Sequence, residues 1–140
     1  MTAPTAEQIA DTLVRTGAVA FRTEPFFRLT SGADSPVYVD NRQLLGHVAE
    51  RRQVIAALAQ VTPVAAGALE AIAGTATAGI PWGAWLAERL ELPFLYVRSQ
   101  AKEWGKQRAV EGTAPSGARV LVIEDLAFSA GSLADAAVNL

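Results

Sequence analysis

Val120-Leu-Val-Ile123 is a run of four apolar residues that ends in two adjacent carboxylates, Glu124 and Asp125. A buried strand with that ending presents the pair at a sheet edge. There, carboxylates accept hydrogen bonds from sugar hydroxyls or steer the water shell of a Mg2+ ion. The next residues, Leu126-Ala-Phe-Ser-Ala-Gly-Ser132, bring the hydroxyls of Ser129 and Ser132 and the N–H groups near Gly131 to the start of a helix, forming a cradle for an anion. The same residues also fit a solvated acidic turn with a serine N-cap. Gly74-Thr-Ala-Thr-Ala-Gly79 is a second candidate, because its small side chains let backbone N–H groups approach an anion while Thr75 and Thr77 add hydroxyls. A plain strand-to-helix turn has the same composition. The third candidate is cationic: Arg98, Lys102, Lys106 and Arg108 lie in a polar, glycine-containing stretch. Such a loop can close over a polyanion and neutralise charge developing on a leaving group, or can serve only to keep a surface soluble. Arg98 follows directly on the apolar run Phe94-Leu-Tyr-Val97, which ties it to a strand end.

These segments need elements to position them, and the residue pattern supplies an alternation of strands and helices. Thr5-Ala-Glu-Gln8 has the spacing of a capping box, with Ile9 and Leu13 following at i, i+4, so a helix is expected over residues 6–16, closed by Gly17. Two short β-prone runs, Phe26-Phe-Arg-Leu29 and Val37-Tyr-Val-Asp40, flank the turn-rich Ser31-Gly-Ala-Asp-Ser-Pro36, as in a hairpin or a pair of loops. Leu45, Val48, Ile55 and Leu58 line one face of an amphipathic helix over residues 44–60, ended by Pro63. Residues 71–73, the glycine-bounded turn, a helix from Pro81 to Leu90 and a strand at residues 94–97 make one βαβ unit. Residues 98–117 are expected to be a long loop, followed by the strand at residues 120–123 and a final helix. The expectation is an α/β fold with a mostly parallel sheet flanked by helices. In such sheets ligands bind beyond the carboxyl ends of the strands, where all three candidates fall.

Composition narrows the function classes. The 140 residues suit one domain, 1–140, with a single core. Twelve basic against fourteen acidic residues give a net charge of -2, which offers no general attraction to nucleic acid or to an anionic membrane. With no cysteine and only His47, disulfides, thiolate zinc sites, cysteine nucleophiles and histidine metal clusters are excluded. No run approaches the roughly 20 apolar residues of a membrane span, and the N-terminus lacks the pattern of a secretory signal, so a cytoplasmic location is expected. Residues 131–140 are helical in composition and reach Leu140 without glycine, proline or a polar cap, so the C-terminal part of the domain is expected to lie beyond them.

Four segments in order resemble the orotate phosphoribosyltransferase family. They are Ser31-Gly-Ala-Asp-Ser-Pro-Val-Tyr-Val-Asp-Asn-Arg42, Gly74-Thr-Ala-Thr-Ala-Gly-Ile-Pro81, Tyr96-Val-Arg98 onward, and Val120 to Ser132. The last resembles the phosphoribosyl pyrophosphate (PRPP) signature, and the first narrows the class to orotate. The resemblance implies a phosphoribosyltransferase-type α/β fold with an N-terminal hood segment and a flexible catalytic loop. It implies transfer of the phosphoribosyl group from PRPP to orotate, giving orotidine 5′-phosphate and pyrophosphate in pyrimidine biosynthesis. Mg2+ would be carried by PRPP with no direct protein ligands, and two copies would form a homodimer sharing the catalytic loop across the interface.

Carried over by motif, Arg98, Lys102 and Asp125 would be catalytic. Arg98, Lys102, Trp104, Glu124, Asp125, Leu126, Ala127, Phe128, Ser129, Ala130, Gly131 and Ser132 would bind PRPP. Gly74, Thr75, Ala76, Thr77, Ala78 and Gly79 would form the pyrophosphate loop, and Phe26, Phe27, Ser31, Gly32 and Phe128 would meet orotate. The chain departs from the family at Trp82, Ser99, Trp104, Phe128 and Ala130. Lys106 and Arg108 are placed to replace lost positive charge. Since the family also has further strands and an orotate-binding arginine beyond this point, weak or absent orotate turnover is expected of these 140 residues. Phosphoribosyl transfer to another base, or PRPP or nucleotide binding without catalysis, are the alternative readings.

Overall fold

The computed structural model describes residues 4–29, 31–63, 68–98, 109–128 and 131–140. Contacts gather into two compact units, Met1–Ala57 and Leu58–Leu140.

The first unit opens with α1 (Ala6–Arg15), one residue shorter than expected. Its capping box is complete: Thr5 Oγ1 accepts from the Gln8 N–H (3.3 Å) and Gln8 Oε1 accepts from the Thr5 N–H (2.8 Å). Gly17, at φ 76°, turns the chain out of the helix. The β-prone runs form nested antiparallel pairs, β1 (Val19–Phe21) with β4 (Val37–Val39) and, inside them, β2 (Phe27–Arg28) with β3 (Asp34–Ser35). The two runs expected to flank the turn therefore do not pair with each other: Phe27–Arg28 pairs with Asp34–Ser35 from the segment expected to be turn, and Val37–Val39 pairs with Val19–Phe21, for which no strand is expected. The single helix expected over residues 44–60 is instead a 3-10 helix, Asn41–Gly46, and then α2 (Val48–Val61). Asp40 starts the tighter turn by accepting from the Arg42 N–H, and His47 breaks it with non-helical angles. Arg51 Nη1 donates to the Leu45 carbonyl (2.7 Å) and ties the two pieces together.

The second unit is built on β5 (Ala71–Thr75), buried along its whole length. It lies between two parallel neighbours, β6 (Phe94–Val97) and β8 (Val120–Ile123), and β7 (Val110–Gly112) adds an antiparallel strand outside β6, giving the order β7-β6-β5-β8. Helix α3 (Gly79–Leu90) connects β5 to β6, the expected βαβ unit, and α4 (Gly131–Asn139) follows β8. Alternate residues of each strand feed two cores. Ile72, Phe94, Leu121 and Ile123 pack with Leu86 and Ala87 of α3, whereas Ala73, Leu95, Val97, Val120 and Val122 pack with Ala136 of α4. Burial on both faces is why these strands read as continuous apolar runs.

Element bounds in the second unit also differ from the sequence expectation. Helix α3 starts at Gly79, two residues ahead of Pro81, and it ends in a Schellman turn with Glu91 at φ 55° and the Leu92 N–H bonded to the Ala87 carbonyl (3.0 Å). The stretch expected to be loop contains β7, a strand of only three residues. Among the described residues no helix is long and apolar enough to cross a membrane.

Candidate functional site

Parallel pairing sets the carboxyl ends of three strands at one level. Thr75 pairs with Val97 and Gly74 with Ile123, so the turn after β5, Arg98 after β6 and Glu124-Asp125 after β8 share one sheet edge. Of the residues expected to form the glycine-bounded turn, Gly74 and Thr75 end β5 and Gly79 opens α3, so the turn proper is residues 76–78, and it is folded tightly on itself. The Ala76 N–H donates to the Val97 carbonyl (2.7 Å), the Ala76–Thr77 peptide is cis, and the Ile80 N–H reaches the Thr77 carbonyl (3.3 Å). A Cβ at Gly74 would stand 2.6 Å from the Gly79 carbonyl oxygen, and one at Gly79 would stand 2.5 Å from both the Ile123 carbonyl oxygen and Thr75 Oγ1. Both glycines are thus required by close approach. Thr75 is buried and its hydroxyl donates to the Ile123 carbonyl (3.4 Å), while Thr77 is exposed, with the half-buried Ala76 and Ala78 on either side.

Arg98 is held at two points. Its N–H donates to the Ala109 carbonyl (2.8 Å), and its Nη2 lies 3.1 Å from Glu111 Oε1 on β7. Glu111 was not among the residues singled out from the sequence, because only the pairing of β7 with β6 brings it beside Arg98. Beyond β8, the Asp125 N–H donates to Glu124 Oε1 (3.1 Å), which turns the Glu124 carboxylate back on the backbone, and both residues are half-buried. Leu126, Ala127 and Phe128 are exposed, Phe128 at 83%. Gly131 and Ser132 occupy the first turn of α4, where backbone N–H groups lack intrahelical acceptors. Trp82, on the first turn of α3, is buried and meets Trp85 edge-on (5.7 Å between ring centroids). Ser99, Lys102, Trp104, Lys106, Arg108, Ser129 and Ala130 lie outside the described residues.

The residues assigned to orotate by resemblance, other than Phe128, belong to the hairpin of the first unit. Phe27 stacks obliquely with Tyr38 (5.5 Å) and carries the Arg22 guanidinium over its ring (4.2 Å), a cation–π contact. Phe26 is half exposed. The hairpin tip is a tight turn in which the Gly32 N–H donates to the Leu29 carbonyl (2.9 Å), with Gly32 at φ 85° and Ser31 Oγ accepting from the Ala33 N–H (3.4 Å). At the end of β4, Arg42 Nε donates to Asp40 (2.6 Å) and holds its carboxyl below the ordinary value of 3.8, against the upward pull of burial.

A mostly parallel sheet covered on both faces, with a glycine-bounded turn after its central strand and an acidic pair leading into a helix beside it, defines the phosphoribosyltransferase class of α/β fold. The crystal structure of orotate phosphoribosyltransferase from Aeropyrum pernix is similar over 94% of this chain and 72% of that one, with a TM-score of 0.75 and 38% identity. Among curated proteins, the orotate phosphoribosyltransferases of Bacillus caldolyticus and Coxiella burnetii are 49% and 43% identical over 124 and 132 residues, 89% and 94% of this chain. The chain belongs to the orotate phosphoribosyltransferase family. It spans 60% and 63% of the length of those two relatives. No family model matches it.

Proposed function

We propose that the protein transfers a phosphoribosyl group from PRPP to orotate, and that the edge formed by the ends of β5, β6 and β8 is its PRPP site. The observation that carries this reading is the register that levels Arg98, the 74–79 turn and Glu124-Asp125. In the reaction a ring N–H nitrogen of orotate forms a bond to the anomeric carbon of PRPP as the bond to pyrophosphate breaks; the electron pair leaves with pyrophosphate, and the proton lost by the nitrogen passes to the departing pyrophosphate or to water. The transition state is oxocarbenium-like, so the protein orients reactants and stabilises the departing anion, and no covalent nucleophile is needed.

In this reading Glu124 and Asp125 accept hydrogen bonds from the ribose hydroxyls. Residues 126–132 surround the 5′-phosphate, with the N–H groups of the first turn of α4 pointing toward it. Thr77 and the backbone of residues 74–79 face the pyrophosphate, and Arg98 and Lys102 meet the charge that builds on it. The hairpin residues Phe26, Phe27, Ser31 and Gly32 receive the base. Mg2+, if carried by PRPP, would neutralise charge on the pyrophosphate. The oxygen donors of Glu124 and Asp125 suit the water shell of such a hard cation. A cytoplasmic homodimer whose partners share Lys102 and its neighbours belongs to the same proposal.

The reaction is tested by supplying Mg-PRPP with orotate, uracil or adenine in turn and measuring pyrophosphate. Release that depends on orotate is the expected result. Release that is equal for all three bases, or greatest with adenine, would overturn the assignment of the base.

A further inference from the structure

We propose that Glu111 is the positioning residue for Arg98, fixing the guanidinium at the sheet edge so that it meets the pyrophosphate group of PRPP already oriented; this rests on the PRPP reading above. Four observations carry it. The antiparallel register of β6 and β7 sets Glu111 opposite Tyr96, and Arg98 is two residues beyond Tyr96, so the two side chains are diagonal neighbours on one face of the sheet. Glu111 Oε1 lies 3.1 Å from Arg98 Nη2, and the Arg98 backbone is bonded to Ala109 (2.8 Å), which fixes the base of the arginine as well as its tip.

The pair is also sheltered. The side chains are 19% and 36% exposed, whereas the arginines of the pairs Asp11–Arg15, Arg28–Asp34, Asp40–Arg42 and Glu70–Arg119 are all more than half exposed. Shelter of the arginine makes the ion pair less dependent on salt than a fully exposed pair. Finally, the register of β7 is enforced one residue further on. Gly112 has φ 101°, and a Cβ there would stand 2.8 Å from the Phe94 carbonyl oxygen, so β7 lies against β6 at a spacing that other residues would disturb.

A carboxylate beside a cation that must bind an anion removes net positive charge, and so works against affinity unless it does something else. Orientation is that benefit: arginine presents its donors in a planar fork whose direction determines which oxygens it can reach, and a long side chain left in solution samples many directions. Glu111 selects one.

Calorimetric titrations with Mg-PRPP and with ribose 5-phosphate separate positioning from general support of the fold, since ribose 5-phosphate has the ribose and the phosphate but no pyrophosphate. Glu111→Ala is expected to weaken Mg-PRPP binding about tenfold, with ribose 5-phosphate binding unchanged. The double variant with Arg98→Ala should bind Mg-PRPP no more weakly than Arg98→Ala alone. Glu111→Gln, of the same shape, gives a smaller loss and carries the test if the alanine variant fails to fold by circular dichroism. Equal weakening of both ligands, additive losses in the double variant, or unchanged Mg-PRPP binding in a folded Glu111 variant would overturn the positioning role and leave the PRPP reading standing. A folded wild-type chain that binds no Mg-PRPP would overturn the PRPP reading and this role with it.

Discussion

Gly79 shows how one side chain, or its lack, holds the candidate site together. A methyl group there would press on the Ile123 carbonyl and on Thr75 Oγ1, both 2.5 Å away and neither at the end of a flexible chain. Gly79→Ala should therefore destabilise the second unit by about 1–3 kcal/mol, seen as a lower urea midpoint. Gly46→Ala, where a methyl meets nothing within 4 Å, should stay within about 0.5 kcal/mol of wild type. Asp40 makes a different prediction. Its folded-state pKa is lowered by the Arg42 hydrogen bond, so its contribution to stability is fully present above the unfolded value and is lost as pH falls through the lowered folded value. Urea unfolding followed from pH 6 into the acid range should show that loss in wild type and a shallower decline in Asp40→Asn. At this scale the sequence announced Glu124, Asp125 and Arg98, because each follows an apolar run. It concealed Glu111, whose relation to Arg98 exists only through the pairing of two strands.

The elements were legible wherever a local signal agreed with burial. The Thr5–Gln8 capping box, the apolar runs of β6 and β8 and the glycine-bounded turn each marked a boundary that the structure keeps to within two residues. The break at His47 and the three-residue β7 were not legible, the first because Leu45 and Val48 keep helical spacing across it, the second because so short a run shows no clear alternation. The end of α3 offers a prediction at this scale. Glu91 sits in the left-handed region at φ 55°, which glycine adopts without a Cβ penalty. Glu91→Gly is expected to stabilise the second unit by about 0.5–1 kcal/mol, checked by thermal unfolding, and a destabilised variant would mean that the Glu91 side chain contributes more than the backbone strain costs.

Across the whole molecule the sequence showed an α/β alternation but not the order of the strands, and order is what makes a site. Only because β5 lies between β6 and β8 do three segments far apart in sequence reach one edge. Similarity to orotate phosphoribosyltransferases over about nine-tenths of the chain places it in that family, and the strand order comes from the structure. The hairpin and the strand-end cluster belong to different compact units, so the proposed PRPP recognition can be examined on the second unit's residues within the intact chain. The most direct measurement is a calorimetric titration of the folded chain with Mg-PRPP, repeated on Asp125→Asn. Saturable binding to one site per chain, weakened at least tenfold in the variant, is the predicted result. Absence of binding to the folded wild type, or binding that Asp125→Asn leaves unchanged, would contradict it.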